Sequence, residues 1–454
     1  MMVKEAALAQ LRTALRGSVL TSGDVGYDAA RQIFNAMIDC RPALVARCAT
    51  AADIRACVGF AQAHGLVVSV RSGGHNVSGK AVVDGGLMID LSLMKGCRID
   101  PVHRTARAEP GLTLAEFDHN CQVFGLATTM GAVSPTGIAG LTLGGGFGWL
   151  CSKYGLTCDN LLSVDIVTAD GRLRTASPLE HPDLFWAVCG GGGNVGIVTS
   201  FEYRLHEVGP VLGGSVVFPF AKAKDVLAFY DDFAPSCPDE LSVNAALWTT
   251  ADGVPAVGIG VAWCGALDLG ERVLRPLQTF ETPLADTIAP MRYVDRQRAS
   301  DAFFPPGRRH YWKAGWQRRL APAGIDVIVE FAARRPSPYT RLSLQQMHGA
   351  AARVPPSATA FVHRHDQWEV QMLSQWLEPA DDEVNIGWAR ECYAALEPHL
   401  ERAVYVNMLG GDETSRIREA YGANYERLAA IKTIYDPTNF FRSNQNVATT
   451  PRLN

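Results

Sequence analysis

Several features are scarce in this 454-residue chain, and each scarcity argues against a class of protein. No run of about 18 apolar residues occurs, so no membrane span is predicted. Basic residues are not in excess, because 42 Lys and Arg stand against 46 Asp and Glu, and the net charge of −4 disfavours a nucleic-acid partner. The first 30 residues contain scattered charges and no unbroken apolar core, so a secretory leader is not expected.

Closely spaced cysteines are also missing. The eleven cysteines are odd in number and scattered, which predicts buried, reduced thiols and a cytoplasmic location rather than a disulfide framework. No group of cysteines and histidines has the spacing of a zinc site, so no metal is predicted.

The chain does have length and apolar content. With 47% hydrophobic and 19% charged residues in 454 positions, it can bury a large core and exceeds the size of one domain. The pattern changes near residue 210, where strands interleaved with helices replace strand-like runs separated by glycine segments. This predicts an α+β fold in which helices cover one face of a sheet. The predicted strands are residues 82–88, 161–168, 211–218, 242–249, 257–263, 326–331 and 360–365, and the predicted helices include 224–233 and 270–280.

A glycine loop that carries a histidine is the most informative segment. The apolar strand 66–70 runs into Arg71-Ser72-Gly73-Gly74-His75, and a helix beginning at the N-cap Thr50 precedes it. Glycine has no side chain and tolerates positive φ, so the loop can approach a ligand and turn its N–H groups toward a diphosphate. The alternative is an ordinary turn that carries a surface histidine.

Two further glycine segments decide between these readings. Gly144-Gly145-Gly146-Phe147-Gly148 is superficially similar to a dinucleotide fingerprint, but Pro135, Gly137 and Gly140 make the preceding stretch a poor strand, which disfavours a nicotinamide-binding fold. A third run covers residues 190–193. Three such loops beside apolar segments predict a long cofactor that lies against backbone.

These motifs, in this order, resemble the berberine-bridge-enzyme-like branch of the FAD-linked oxidases, which have a PCMH-type FAD-binding fold and belong to the vanillyl-alcohol oxidase superfamily. The resemblance also covers Ser134-Pro135-Thr136-Gly137, Lys153-Tyr154-Gly155-Leu156, Gly193 to Thr199 and the tail Tyr435 to Asn446. It implies an FAD-binding part at residues 1–209, a substrate part at 210–403 with a largely antiparallel sheet, and a segment at 404–454 that returns to the FAD-binding part.

The resemblance implies that FAD is bonded covalently through its 8α-methyl group to His75. Such a bond withdraws electron density from the ring and raises its reduction potential. Many relatives have a second link from a cysteine, but this chain has Ser134 there, so a single link of the mono-covalent bacterial type is expected. The implied cofactor contacts are Arg71, Ser72, Gly73, Gly74, His75, Gly79, Ser134, Pro135, Thr136, Gly137, Gly140, Gly144, Gly145, Gly146, Tyr154, Asn194, Gly196, Ile197, Val198, Asn444 and Asn446.

The substrate chemistry stays open between an amine and a secondary alcohol. Oxidising an alcohol requires a base within hydrogen-bond reach of its hydroxyl, and Met408 occupies the position where alcohol-oxidising relatives carry a tyrosine. An amine needs no strong base, because its lone pair assists hydride loss. The candidate catalytic residues are Asn407, Tyr405, Lys313 and Glu369, with Asp366, His363 and His365 as further candidate bases, although a surface lysine or a histidine that ends a strand fits the same pattern.

The resemblance therefore predicts an oxidase that passes a hydride from a small organic molecule to FAD and releases hydrogen peroxide from dioxygen. Three alternatives remain: a dehydrogenase with another acceptor, a flavin-binding protein without turnover, and a non-covalent reductase of the related cell-wall-precursor type. The substrate and the oligomeric state are left open, because no motif names either.

Overall fold

The computed structural model describes residues 4–449, so residues 1–3 and 450–454, the outer ends of the first and last predicted segments, lie outside it. The strands are β1 Ser18–Leu20, β2 Leu44–Arg47, β3 Val68–Arg71, β4 Leu87–Asp90, β5 Cys97–Asp100, β6 Thr105–Ala108, β7 Leu126–Ala127, β8 Leu161–Val167, β9 Leu173–Ala176, β10 Ile197–Arg204, β11 His206–Glu207, β12 Val211–Pro219, β13 Leu241–Thr249, β14 Pro255–Trp263, β15 Ala285–Asp286, β16 Ala289–Met291, β17 Arg309–Gln317, β18 Arg341–Met347 and β19 Gln367–Trp376.

The helices connect and cover these strands. They are α1 Glu5–Ala14, α2 Tyr27–Arg31, α3 Ala51–Ala63, α4 Leu114–Gln122, α5 Ile138–Leu143, α6 Cys151–Tyr154, α7 Pro182–Val188, α8 Ala223–Phe233, α9 Leu267–Thr279, α10 Tyr293–Arg298, α11 Pro322–Ala333, α12 Ala350–Arg353, α13 Asp382–Leu396, α14 Ile417–Tyr421 and α15 Tyr425–Tyr435. Within residues 4–449, none of them combines the length and apolar character needed to cross a membrane.

The first part of the chain contains two main sheets. β1, β2, β4 and β3 form one sheet in that order, with β4 parallel to both β2 and β3. β5, β6, β10, β8 and β9 form an antiparallel second sheet. The predicted helix before the glycine loop is α3: the Thr50 side chain accepts from the Asp53 N–H, and Ile54, Cys57, Val58 and Ala61 bury one face. The parallel pairing of β3 with β4 therefore positions the end of β3, where the glycine loop begins.

An eight-stranded antiparallel sheet dominates the second part. Its order is β15-β12-β14-β13-β18-β19-β17, with β16 also paired to β12. Side chains alternate between its faces: Val243, Ala245 and Leu247 of β13 pack in the hydrophobic cluster under α8, α9, α11 and α13. Asn244 and Trp248 point the other way, into a cavity. The predicted α+β class, with helices on one face of an antiparallel sheet, is confirmed.

Three predicted strands are wrong. Residues 326–331 lie in α11, because Ile325, Ile328 and Phe331 recur at helical spacing on its buried face. Residues 360–365 form no strand; instead the His363 side chain bonds the carbonyl of Ala420, and the Arg364 side chain bonds Asp159. The predicted strand 82–88 begins only at Leu87, because Gly85 turns the chain with φ +63°.

The last part of the chain returns to the first. Leu428 and Ile431 of α15 lie in the same hydrophobic cluster as Phe201 of β10 and Trp316 of β17. Tyr405 also belongs to that cluster. The segment after residue 403 is therefore fixed between the two parts of the molecule, at the level of the cavity.

Candidate active site

A cavity of about 720 Å³ lies between the glycine loops and the open face of the large sheet. Its volume falls within the range typical of small-molecule and cofactor sites, roughly 300–1,000 Å³. The predicted cofactor residues that line it are Ser72, Gly73, Gly74, His75, Thr136, Gly137, Gly140, Gly196, Ile197, Val198 and Asn444.

The first two glycine-containing loops touch backbone to backbone. A Cβ on Gly73 would lie 2.3 Å from the nitrogen of Gly137, and a Cβ on Gly137 would lie 2.4 Å from the nitrogen of Gly73. Gly74 has φ +64°, which strains any residue with a side chain. These positions therefore need glycine, and the resulting side-chain-free wall suits close approach by a ligand.

His75 is a buried imidazole in an aromatic stack. Its ring lies 3.8 Å from that of Phe34, and the ring of His310 lies 4.3 Å from Phe34 on its other side. Nε2 of His75 is buried and has no hydrogen-bond partner. Burial lowers the pKa of His75 to about 4 and that of His310 to about 3, so both rings are neutral near pH 7. A neutral imidazole at the cavity wall, with one ring nitrogen free of hydrogen bonds, fits a residue that bonds to a cofactor.

Several predicted cofactor residues are not among those that line the cavity and contact other parts of the protein instead. Arg71 pairs with the buried Asp90 at 2.6 Å, and Gly79 packs against Ile38. The Ser134 amide and hydroxyl both bond the Asp301 carboxylate, which joins this loop to the second part of the chain.

Other predicted residues hold the tail and the loop ends in place. Asn194 donates to the carbonyl of Gln445 at 3.2 Å and accepts from the Val447 N–H at 2.9 Å. Asn446 accepts from the buried Lys432 at 3.1 Å. Tyr154 stacks on His206 with ring centres 3.9 Å apart. Pro135 is likewise outside the lining.

The triple glycine contacts the protein's own chain rather than the cavity. A Cβ on Gly144 would lie 2.2 Å from Oδ1 of Asn407, and one on Gly145 would lie 2.8 Å from the Phe361 ring. The N–H of Gly146 donates to the Tyr405 hydroxyl at 3.0 Å. These glycines thus allow the segment after residue 403 to approach, and their assignment as cofactor contacts stays a prediction.

Tyr405 and Asn407 both line the cavity and bond to each other. Asn407 Nδ2 donates to the Tyr405 hydroxyl at 2.9 Å, the second bond that this oxygen accepts. The proton of the Tyr405 hydroxyl therefore remains free to be donated. Burial raises the pKa of Tyr405, and the charge of Glu369 raises it further.

Glu369 is fully buried on β19. Oε2 accepts from Gln371 Nε2 at 2.6 Å, while Oε1 has no partner. Burial raises the pKa of Glu369 to about 8, and the bond from Gln371 opposes part of that rise. The carboxyl group can therefore exchange a proton near neutral pH, next to the cavity-lining Gln371.

Glu369 itself is not among the cavity-lining residues, and neither are the remaining candidate bases. Lys313 faces away, because side chains alternate along β17 and Trp312 lines the cavity. The Lys313 ammonium instead pairs with Glu413 at 3.1 Å, and its catalytic assignment stays a prediction. His363 donates to the carbonyl of Ala420 at 3.0 Å, and the lining includes neither His365 nor Asp366.

The open face of the large sheet supplies polar groups that the sequence analysis missed. Asn244, Gln345 and Gln371 line the cavity from three adjacent strands, and Gln371 donates to Gln345 at 3.0 Å. Alternation of polar and apolar residues along β18 is the signal that could have revealed them. Phe34 and His310 were also missed, since only the fold brings them beside His75.

Comparison with known proteins agrees with this geometry. The FAD binding domain family matches residues 42–177, and the family described as berberine and berberine like matches residues 404–448. The (R)-6-hydroxynicotine oxidase of Paenarthrobacter nicotinovorans is 33% identical over 95% of this chain and 97% of its own. An FAD-linked oxidoreductase of Dictyostelium discoideum is 31% identical over 87% of this chain and 86% of its own.

Solved structures give the same result. The 6-hydroxy-D-nicotine oxidase of Arthrobacter nicotinovorans superimposes with a TM-score of 0.88 at 31% identity, over 95% of this chain and 98% of that one. The xylooligosaccharide oxidase of Myceliophthora thermophila, at 23% identity and a TM-score of 0.85 over 98% of this chain and all of that one, shares the fold. Fold, cavity and relatives together define an oxidoreductase that binds FAD. The chain belongs to the berberine-bridge-enzyme-like family of FAD-linked oxidoreductases.

Proposed function

We propose that this protein oxidises a small amine or secondary alcohol, with FAD attached covalently to His75 and dioxygen as the electron acceptor that yields hydrogen peroxide. The observation that carries the proposal is the neutral, buried imidazole of His75, whose Nε2 has no partner and whose residue lines the cavity. When bound, FAD supplies a ring that accepts hydride from carbon.

The chain's own residues orient the cofactor and handle the substrate proton. The stack of His75, Phe34 and His310 restricts the imidazole to one ring plane. For an alcohol substrate, the hydroxyl proton passes to the ionised form of the Glu369 carboxylate, which has a free oxygen and a pKa of about 8, while the neutral Tyr405 hydroxyl donates a hydrogen bond to the substrate oxygen. Met408 lines the cavity but carries a thioether that takes no proton.

For an amine substrate, that proton acceptor is dispensable. The hydroxynicotine oxidase relative is named for an amine, which supports this class for the present chain. Alcohol and amine substrates differ in their dependence on Glu369. The Glu369→Gln variant should oxidise an alcohol more slowly than the wild type, whereas it should oxidise an amine at close to the wild-type rate.

Anaerobic mixing with candidate substrates tests the proposal. A panel of cyclic amines, beginning with (R)-6-hydroxynicotine, and of secondary alcohols is added to the yellow holoenzyme, and flavin absorbance is followed. We expect one member to bleach the flavin, and readmitted air to restore the colour with one hydrogen peroxide per flavin. Restoration by a redox dye but not by air would replace the oxidase assignment with a dehydrogenase. Absence of bleaching across the panel would contradict turnover of these classes.

We further propose the division of the chain into residues 1–209, 210–403 and 404–454. The change of sheet between β11 and β12 supports it, as does the packing of Val404 in the same hydrophobic cluster as Phe201 of β10. A cytoplasmic location is proposed from the eleven cysteines, all of them unpaired. Cell fractionation tests it, and recovery of the enzyme outside the cell membrane would contradict it.

A further inference from the structure

The charged side chains that line the cavity are all positive. Among the described residues, Lys80, Arg296 and Arg341 line it, and no aspartate or glutamate does. Lys80 follows the first glycine loop on the cofactor side, whereas the two arginines belong to the substrate part of the chain. A cavity lined by cations alone raises the local concentration of anions and disfavours cationic ligands.

Arg341 is the least satisfied of these cations. Its guanidinium lies 4.5 Å from the centre of the Phe303 ring and 5.8 Å from that of Phe304. Within residues 4–449 it donates no hydrogen bond and has no carboxylate oxygen within 4.0 Å, and its buried Nε lacks any partner. Arg341 is half-buried, and buried polar atoms such as its Nε normally have a hydrogen-bond partner, so an unpaired guanidinium at a cavity wall points to a ligand.

A second arginine strengthens the positive charge at this place. Arg335 donates to Thr249 Oγ1 at 3.1 Å, while its buried Nε and Nη1 have no partner. Burial lowers the pKa of Arg341 to about 10, and the neighbouring charge of Arg335 lowers it further. Both guanidinium groups still carry full charge near pH 7, and within residues 4–449 neither has a carboxylate oxygen within 4.0 Å.

Arg296, by contrast, is already satisfied. Its guanidinium lies 3.5 Å from the centre of the Trp149 ring, and Nε donates to the carbonyl of Val261 at 2.6 Å. It adds positive potential to the cavity, but its stacking and hydrogen bond fix it in place. Arg341 is therefore the better candidate for direct contact with a ligand.

Strand β18 connects Arg341 to the reacting region. Arg341, Ser343 and Gln345 lie on its cavity face, and Gln345 bonds to Gln371 beside Glu369. Four residues of strand span ~13 Å, about the length of a two-ring molecule with a carboxylate. Trp248 and Trp312 line the cavity near Phe303 and Phe304, so the space beside Arg341 has aromatic walls.

We propose that Arg341 binds the carboxylate of an aromatic acid, so that the substrate oxidised at FAD is an amine or alcohol that also carries a carboxylate on an aromatic body. This inference rests on the proposed function for the oxidation step. Arg335 supports the charge from behind, and the four aromatic side chains hold the planar body. Arg341 lies on β18 of the large sheet, in the substrate part of the chain and not on a glycine loop, which assigns it to substrate rather than to the phosphates of FAD.

Calorimetric titration of the holoenzyme with 2-naphthoate and with 2-naphthamide tests the inference, because the probes differ in charge but hardly in shape. We expect naphthoate to bind the wild type at least tenfold more tightly. Arg341→Gln should weaken naphthoate binding roughly 10- to 100-fold and leave naphthamide binding unchanged. Arg341→Lys, which keeps the charge but not the planar fork, should lose less.

The matched control is Arg334→Gln, since Arg334 stacks at 3.8 Å on Phe331 of α11, on the helix-covered side of the sheet. It should bind both probes like the wild type. Equal affinity of the wild type for the two probes, or undetectable naphthoate binding at millimolar concentration, would overturn the inference. Retained preference for naphthoate in both Arg341 variants would also overturn it.

Two further measurements separate this inference from its alternatives. Loss of bound FAD in folded Arg341→Gln would assign Arg341 to the cofactor phosphates and overturn the substrate assignment. Binding by calorimetry needs no turnover, so naphthoate preference in a protein that forms no covalent flavin would support the Arg341 subsite while contradicting the proposed function.

Discussion

Replacing Glu369 by glutamine should stabilise the protein, and increasingly so as the pH rises. In the folded state burial raises the pKa of Glu369 from its ordinary value of 4.5 to about 8. The pKa of Glu369 is higher in the folded state than in the unfolded state. Below pH 4.5 both states bind the proton and the folded protein keeps its full stability. As the pH rises toward 8, the unfolded state loses the proton more readily, so the free energy of unfolding falls. A difference of about 3.5 in pKa corresponds to an upper limit of about 5 kcal/mol.

Urea unfolding of both proteins at pH 5, 7 and 9 measures this effect. The free energy of unfolding of the wild type should fall relative to that of Glu369→Gln between pH 5 and pH 9, with most of the fall before pH 8. Glutamine fills the same space and cannot ionise, so the free energy of unfolding of the variant should not show this fall with pH. The exposed Glu330 of α11 provides the control, and Glu330→Gln should track the wild type at every pH.

If the free energies of unfolding of the wild type and Glu369→Gln changed with pH in parallel, the reasoning would be refuted, since the carboxyl group would then ionise as freely in the folded protein as in the unfolded one.

The Glu369→Gln variant also reports on catalysis. If the substrate is an alcohol, the rise of kcat/KM with pH near 8 should disappear, whereas an amine substrate should leave the profile unchanged apart from its own ionisation.

Two structural contacts give further predictions. Gly144→Ala should cost about 1–3 kcal/mol and lower activity, because the added Cβ would collide with Asn407, whereas Gly59→Ala on the open side of α3 should not destabilise the fold in thermal unfolding. A Gly144→Ala enzyme as stable and active as wild type would contradict the close approach. Arg364→Gln should cost about 3–5 kcal/mol in urea unfolding, since it strips the buried Asp159 of a bidentate partner at 2.7 Å, and a loss below 1 kcal/mol would contradict that role.

The sequence predicts correctly those helices and loops whose local residue pattern matches the burial they have in the folded protein. Helix α3 has a capping threonine and an apolar stripe, and its prediction is confirmed. Strand β3 ends at Arg71, and the chain enters the glycine loop there, as the sequence predicts. The run at residues 326–331 is rich in β-branched residues, which favours a strand. Its helical period becomes visible only when Ile325 and Phe331 are seen on one buried face.

The polar face of the large sheet could not be predicted in the same way. Strand β18 carries Ser343 and Gln345 toward the cavity and Leu342 and Leu344 toward the helices, a pattern also common in solvent-exposed strands. The stack of Phe34 on His75 joins residues 41 positions apart, and that of Phe34 on His310 joins residues 276 apart, so no local pattern encodes it. The role of Gly144 as a contact for Asn407 also depends on the folded chain.

Intact mass under denaturing conditions tests the central claim most directly. The account predicts that wild-type protein retains the mass of one FAD, that His75→Ala retains none, and that His310→Ala, which removes the other imidazole of the same stack, keeps the adduct. A wild-type mass equal to that of the polypeptide alone, or an adduct that persists in His75→Ala, would contradict it.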